Sequence, residues 1–251
     1  MSLTADVLAL LLVAGLSAGF VDAVAGGGGL ITLPVLLGVG LPPQMVLGTN
    51  KMQACFGTLL AVRRYAKAGF VTWKEVRLAV LVTFLFALIG TYVVTQVSNE
   101  LLKKLVPWML MAIAVYALLT PNFGQVRGKA RLSPTVFALL AGSALGFYDG
   151  FFGPGTGSFW TLACLSLLGL ELTRATAYTK VVNLTSNVAS LLVFLHADCV
   201  RFDIAAVMIV GQLIGARLGS GLVVKHGAPF VRVVFLIVVF ALTLKLLSDQ
   251  L

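Results

Sequence analysis

The sequence predicts an all-α polytopic membrane protein made of two tandem repeats. Three observations support this prediction: an apolar composition, a series of helix-length apolar segments, and a glycine-rich motif that occurs twice. Of the 251 residues, 59% are hydrophobic and only 11% are charged, with a mean hydropathy of +1.03. Soluble globular proteins carry about 25% charged residues. A chain of this size cannot bury so much apolar surface in water, so lipid must surround most of it.

The net charge of +9 does not indicate a nucleic-acid partner. The basic residues lie singly or in small groups between apolar segments, as the positive-inside rule produces, and no basic stripe with interleaved aromatic residues is present. The first apolar segment has no clear cleavage site, so we expect it to be retained. Cys55, Cys164 and Cys199 lack the paired spacing of a metal site and are expected to be buried thiols. The sequence predicts neither a metal nor a cofactor.

The repeated motif is the strongest signal in the chain. Residues 19–30 read GFVDAVAGGGGL and residues 146–157 read GFYDGFFGPGTG, with matching positions separated by 127 residues (146 − 19 = 127). Lys51 and Lys180 match at an offset of 129 (180 − 51 = 129), as Gly90 and Gly219 do. We therefore divide the chain into a first membrane repeat (1–121), a basic cytoplasmic connector (122–133) and a second membrane repeat (134–251).

Each repeat is predicted to hold a glycine-broken first segment followed by three transmembrane helices. A bilayer core of about 30 Å needs about 20 helical residues, and the segment after each glycine turn has only about half of that. The predicted segments are Leu8–Ala25, Leu30–Leu41, Met45–Tyr65, Val76–Val97 and Leu101–Leu119, then Thr135–Phe152, Ser158–Leu170, Ala175–Leu195, Ile204–Val224 and Val231–Leu247.

The relative orientation of the repeats has two solutions. If the broken segment is a re-entrant hairpin, each half crosses the membrane three times and the halves are inverted. If it crosses once, each half crosses four times and the halves are parallel. The inverted arrangement gathers more of the Lys and Arg residues on one face, so the positive-inside rule favours it by a narrow margin. Both arrangements place the loop from Arg63 to Arg77 in the cytoplasm.

Ionisable side chains inside a membrane cost about 2.5–3.5 kcal/mol each and therefore need an explanation. Four of them form repeat-related sets, Asp22 with Lys51 and Asp149 with Lys180. These sets are either neutralising pairs that hold helices together within each half or part of a ligand site, in which the aspartates carry a coupling proton or balance charge. Arg217, whose repeat counterpart is Leu88, is either a gate or a side chain that reaches the membrane interface.

The glycine turns favour the ligand site. A helix N-terminus offers unpaired N–H groups and a partial positive charge of about +0.5, and glycine lets the backbone approach a ligand. Together with the two lysines, two such N-termini predict a binding site for a small anion. Polar residues within a turn of the lysines are either further ligand contacts or helix–helix contacts, and Asn187 shares a face with one of them, Asn183. The predicted substrate-binding residues are Lys51, Lys180, Gly27, Gly28, Gly29, Gly155, Thr156, Gly157, Asn50, Gln53, Thr179 and Asn183.

At Gly19–Pro34, Thr49–Gln53, Gly146–Gly157 and Gly211–Ser220 the chain closely resembles the sulfite-exporter TauE/SafE family of bacterial membrane transporters, in particular its YfcA-like branch. The resemblance covers essentially the whole chain. It implies a multi-pass secondary transporter of the bacterial inner membrane, an exporter or permease for sulfite, sulfonates and other small sulfur-containing anions. Pro154 stands where the first repeat has Gly27, so the two turns need not share one geometry.

The residues themselves favour an anion carrier that works by alternating access. No nucleotide-binding loop is found, and the expected partners are the bilayer, a small anion and a coupling proton. An anion channel remains an alternative. An intramembrane aspartyl enzyme is disfavoured because the Gly-x-Gly-Asp element is missing, so no enzymatic activity is predicted. The sequence does not determine the direction of transport or whether the protein forms a homo-oligomer.

Overall fold

The computed structural model describes residues 4–118, 130–227 and 230. Over this part of the chain the regular elements are nine α-helices, which confirms the all-helical prediction. In order they are α1 (Ala5–Ala25), α2 (Gly29–Gly38), α3 (Pro43–Lys67), α4 (Trp73–Gln96), α5 (Asn99–Leu118), α6 (Pro134–Phe151), α7 (Thr156–Leu167), α8 (Leu172–His196) and α9 (Phe202–His226). By length and composition α1, α4 and α9 could each cross a membrane. The predicted span Val231–Leu247 and residues 122–129 of the connector lie outside the described residues.

Local sequence signals set the helix boundaries. Gly26 ends α1 in the left-handed conformation (φ 78°), and its N–H donates to the carbonyl of Asp22 at 3.0 Å. Pro43 and Pro134 begin α3 and α6, where a missing N–H costs nothing. The hydroxyl of Ser133 caps α6 by accepting from the N–H of Val136 at 3.3 Å. These signals place the helices within a few residues of the predicted segments.

The helices after the glycine turns are short. α2 has 10 residues and α7 has 12, which gives lengths of about 15 Å and about 18 Å. The carbonyl of Leu167, at the end of α7, accepts from the N–H groups of Arg131 (2.8 Å) and Leu132 (3.1 Å), which immediately precede α6. The chain in α7 therefore returns to the level at which α6 begins.

Two helix pairs pack closely through glycines. Gly15 and Gly19 of α1 lie against the backbone of Met208 and Gln212 of α9, and on α9 Gly211, Gly215 and Gly219 lie against successive turns of α1. α4 and α6 pack in the same way, with Gly146 against Thr83 and Gly150 against Ala87. The glycines at 211, 215 and 219 thus allow the close approach of α9 to α1. In both pairs the residue numbers increase together, so the two helices of each pair run parallel.

Contacts of α3 and α8 fix the remaining directions. Thr49 accepts from the N–H of Arg201 before α9, and Arg64 further along α3 donates to the carbonyl of Arg217, so α3 runs parallel to α9. Arg174, at the start of α8, contacts Glu75 at the start of α4, so α8 runs parallel to α4. Gly48 of α3 lies against Phe194 of α8, and Thr58 further along α3 accepts from Asn187, so α3 and α8 run antiparallel. Helices α1, α3 and α9 thus run in one direction and α4, α6 and α8 in the opposite one.

The buried apolar side chains form two clusters. The first includes Tyr65, Phe137 and Trp160, and the second includes Leu33 and Phe194. None of the residues that line the polar cavity described below belongs to either cluster.

Candidate functional site

The two glycine turns meet inside the protein. Gly26, at the end of α1, lies so close to Gly157 that a Cβ added to Gly26 would stand 2.5 Å from the Gly157 Cα. The hydroxyl of Ser158 donates to the carbonyl of Ala25 at 3.1 Å and joins the two turns directly. The absence of side chains at Gly26 and Gly157 is therefore what lets the turns approach each other.

The two turns differ in backbone geometry. Gly153 and Gly155 both have positive φ angles (96° and 78°), whereas in the first turn Gly26 is left-handed (φ 78°) but Gly28 is right-handed (φ −54°). Pro154 lies between the two left-handed glycines, and a proline fixes its own φ near −65°. The difference expected from Pro154 is confirmed.

Both turns border one polar cavity with a volume of about 30 Å³, which is room for about two water molecules. Most of the predicted site residues line it: Asp22, Gly28, Gly29, Asn50, Lys51, Gln53, Asp149, Gly155, Thr156, Gly157 and Asn183. Gly26, Gly153, Ala54, Asn187 and Gln212 complete the wall. The N-termini of α2 and α7 therefore reach the same space as Lys51.

The buried ion pairs join the two halves. Lys51 Nζ donates to Asp149 Oδ1 at 2.7 Å, and Lys180 Nζ lies 3.4 Å from Asp22 Oδ2. The predicted pairing within each half, Asp22 with Lys51 and Asp149 with Lys180, is wrong. The reason is the packing: α3 and α8, which carry the lysines, lie against each other, and the two glycine turns meet beside them, so that Lys51 reaches Gly153 and Asp149 of the other half.

Asp149 is held by several partners. Besides Lys51, the hydroxyl of Ser186 donates to its second oxygen, Oδ2. Lys51 Nζ also donates to Asn187 Oδ1 at 3.2 Å, and the Asn187 amide donates to Thr58 at 3.4 Å. Both oxygens of the Asp149 carboxylate are thus bonded within the protein, and its side chain is only 4% exposed.

Asp22 and Lys180 form a looser pair. Lys180 is fully buried, yet among the described residues its Nζ has no hydrogen-bond partner, and at 3.4 Å its contact with Asp22 is an ion pair only. Asp22 lines the cavity with 16% of its side chain exposed, whereas Lys180 does not line it. A buried ammonium with three donors and one distant carboxylate is under-satisfied, which marks it as a place where a further acceptor could bind.

Amide side chains supply the neutral polar groups of the cavity. Asn50 Oδ1 accepts from Thr32 at 2.5 Å and from Gln53 Nε2 at 2.9 Å. Within the described residues, Gln53 Oε1, Asn183 Oδ1 and Gln212 Oε1 are buried without a partner. Since a carboxamide presents both a donor and an acceptor, these groups can bond to a ligand or to water in the cavity.

Four predicted site residues lie away from the cavity wall. Lys180 has been described, and the hydroxyl of Thr179 pairs with that of Thr161 at 3.1 Å. Gly27 packs against Leu30 and Val21 side chains. Arg217 is exposed on the outside of α9 and contributes only its carbonyl, to Arg64. The structure does not bring Arg217 to the position of a gate.

The sequence prediction missed Gln212 and Ser186. Gln212 is 1% exposed and fits against Gly57, where a Cβ would lie 2.6 Å from the Gln212 amide. The sequence could have pointed to Gln212, because it is a single amide in an apolar segment next to closely spaced glycines. Neither residue is repeated in the other half. Thr83 occupies the position equivalent to Gln212, and Gly57 occupies the position equivalent to Ser186 (212 − 83 = 129; 186 − 57 = 129).

The chain is similar in sequence to known membrane transporters. The sequence model described as Sulfite exporter TauE/SafE matches residues 11–246. A probable membrane transporter protein of Haemophilus influenzae is 42% identical over 250 residues, which cover 100% of this chain and 98% of that protein. The probable membrane transporter protein ORF9 of Sinorhizobium is 43% identical, covering 96% of this chain and 93% of its own length. The probable membrane transporter protein YfcA of Escherichia coli K12 is 40% identical, covering 93% and 87%. No solved structure matches the chain.

Proposed function

Because the chain belongs to the sulfite exporter TauE/SafE family, we propose that it moves small sulfur-containing anions, such as sulfite or organosulfonates, across the bacterial inner membrane by alternating access. The family and the named relatives make the chain a membrane transporter, not an enzyme. The observation that carries the finer proposal is the cavity, where Lys51 and the N-termini of two short helices converge.

The cavity has the chemistry of an oxyanion site. Among the described residues, the N–H groups of Gly29 and Gly157, in the first turns of α2 and α7, have no backbone acceptor, whereas the other N–H groups of these turns donate to carbonyls of the glycine turns. The helix dipoles add positive potential at the same ends. Lys51 brings an ammonium group, which Asp149 pairs at 2.7 Å, and the amides of Asn50, Gln53 and Asn183 line the same space. The small volume favours a compact anion. Because glycine has no side chain to block the approach, the backbone N–H groups at both turns can come close to a bound oxyanion.

The helix directions support inverted repeats with re-entrant hairpins. α1, α3 and α4 are the sequence counterparts of α6, α8 and α9, and each runs opposite to its counterpart. α1 and α3 run in the same direction, which fits a chain that returns through α2 before α3 begins. Inverted halves that meet at a central site can alternate between two states related by a pseudo-two-fold axis in the membrane plane, which is the usual basis of alternating access.

This arrangement predicts opposite exposure for equivalent residues. Pro42 and Glu171 are both exposed and occupy the same repeat position, immediately before α3 and α8 (171 − 42 = 129). In a background with the three native cysteines replaced by serine, we expect a membrane-impermeant thiol reagent added outside intact cells to label Pro42→Cys but not Glu171→Cys. Disrupting the membrane should make both reactive. Labelling of both from the same side would favour parallel repeats.

Transport itself is tested in liposomes that contain the purified full chain. We expect saturable flux of labelled sulfite or a simple sulfonate, and loss of at least nine-tenths of it in the Lys51→Ala, Lys180→Ala double variant. A Lys74→Ala variant, with an exposed cytoplasmic-loop lysine, is the control and should transport normally. Full transport by the double variant would remove the proposed site. Single-channel current steps would identify an anion channel instead.

A further inference from the structure

The two buried ion pairs are equivalent in sequence but unequal in their surroundings. Asp149 bonds to Lys51 at 2.7 Å and accepts a second hydrogen bond from Ser186. Asp22 has an ion-pair partner at 3.4 Å, and the ammonium group of that partner, Lys180, makes no hydrogen bond within the described residues. Asp22 is also the more exposed of the two carboxylates and borders the cavity.

We propose that Asp22, and not Asp149, takes up the coupling proton, and that this protonation frees Lys180 to bind the transported anion. The inference rests on the proposed anion transport and assigns a separate role to each carboxylate. A proton from the aqueous phase adds to a carboxylate oxygen of Asp22, which becomes neutral. Lys180 then lacks its counter-ion, and an oxyanion that enters beside Asp22 can take that place and accept hydrogen bonds from the ammonium group.

The charged and titratable groups around Asp22 favour this exchange. Lys180 faces it from α8, Lys51 and Asp149 share its cavity from α3 and α6, and Tyr65 of α3 donates to the neighbouring carbonyl of Ala23 at 2.8 Å. The parts of α2, α7 and α9 that line the cavity bring glycines, a threonine and a glutamine, none of which titrates. The four charged groups sum to zero, so an added anion leaves an excess negative charge unless a proton enters with it.

Charge balance therefore couples the two ligands. An uncompensated charge in a buried site is strongly unfavourable, so protonation of Asp22 alone leaves Lys180 unpaired and anion binding alone leaves a net negative cavity. Binding of both restores neutrality. By linkage, each ligand raises the affinity for the other by the same factor. The proton and the anion consequently cross the membrane in the same direction.

Asp149 is unsuited to the same role. Protonating it would neutralise the carboxylate that Lys51 bonds at 2.7 Å and so weaken a short, charge-assisted hydrogen bond. Lys51 would remain bonded to Asn187 at 3.2 Å, so it would be less available to a ligand than Lys180. This pair acts as a fixed connection between the halves.

The experiment measures anion affinity and flux against pH for the full chain. The probes are sulfite and methanesulfonate. Methanesulfonate keeps a single negative charge over the whole pH range, so any pH dependence of its Kd arises from the protein. For the wild type we expect the Kd for methanesulfonate to fall by up to about tenfold per unit decrease in pH, the limit for one coupled proton. In Asp22→Asn, which mimics the protonated state, the Kd should lose its pH dependence and lie below the wild-type value at about pH 8.

Flux separates coupling from folding defects. Asp22→Asn should retain anion counterflow, in which labelled anion exchanges for unlabelled anion, while a pH gradient no longer drives net uptake. The matched variant Asp149→Asn should yield less folded protein but keep the wild-type pH slope of its Kd. The inference is overturned if Asp22→Asn keeps that slope or if Asp149→Asn alone abolishes it. If the wild type neither binds nor transports either probe at any pH, the proposed function fails as well.

Discussion

Replacing Lys51 by methionine is expected to lower the free energy of unfolding by about 3–5 kcal/mol, because the substitution leaves the buried Asp149 carboxylate without its counter-ion. The carboxylate is 4% exposed, so only the Ser186 hydroxyl and the small polar cavity would remain to solvate it. Removing the charge also removes a cation from the cavity wall, so transport should be lost together with stability. Thermal unfolding in detergent and liposome flux measure the two effects.

A second substitution identifies the partner of Lys51. Adding Asp149→Asn to Lys51→Met removes the orphaned charge, and we expect it to recover most of the lost stability. Adding Asp22→Asn instead should give no recovery, since Asp22 pairs with Lys180. The two double variants have the same net charge, so each is the control for the other. If stability recovers only when Asp22→Asn is added to Lys51→Met, Lys51 pairs with Asp22 of its own half.

The sequence predicted the helical segments well because two strong constraints act on them. A membrane span needs a set length of apolar residues, and glycine or proline marks where a helix ends. Thus α2 and α7 were recognised as short and α3 and α8 as full-length, although the lysines in α3 and α8 make them less apolar. The internal match between Lys51 and Lys180 also placed both lysines near the site.

Partner choice could not be predicted in the same way. A repeat identifies equivalent positions, but it does not say whether a residue contacts its own half or the other one. Asp22 and Lys51 were grouped because they lie close in the chain, whereas the fold packs α1 against α9 and α6 against α4. Contacts between halves depend on the packing of whole helices, which a single sequence does not state.

Helical periodicity could have placed Arg217 correctly. At 100° per residue, a position two residues after Gly215 points about 200° away from it. The face with Gly211, Gly215 and Gly219 packs against α1, so Arg217 must lie on the far side, where the structure has it. Gln212 follows Gly211 by one residue and lies near enough to the packed face to reach the cavity.

Gly26→Ala is expected to prevent correct folding of both hairpins. Alanine in the left-handed conformation at φ 78° costs about 1–2 kcal/mol, and the new methyl group would overlap the backbone of Gly157, which adds about 1–3 kcal/mol of overpacking. Backbone atoms at this contact belong to the start of α7 and cannot move aside as a flexible side chain would. We expect little monodisperse protein in detergent and no anion flux.

Gly27→Ala is the matched control, one residue along the same turn. An added Cβ there meets only the side chains of Leu30 and Val21 at 3.7 Å, an ordinary van der Waals distance, and no positive φ opposes it. Its yield and flux should stay near those of the wild type. If both variants fail, the turn needs flexibility throughout and not one close contact. If both succeed, the two turns do not have to touch, and the convergence of the two helix N-termini on one anion would lose its structural basis.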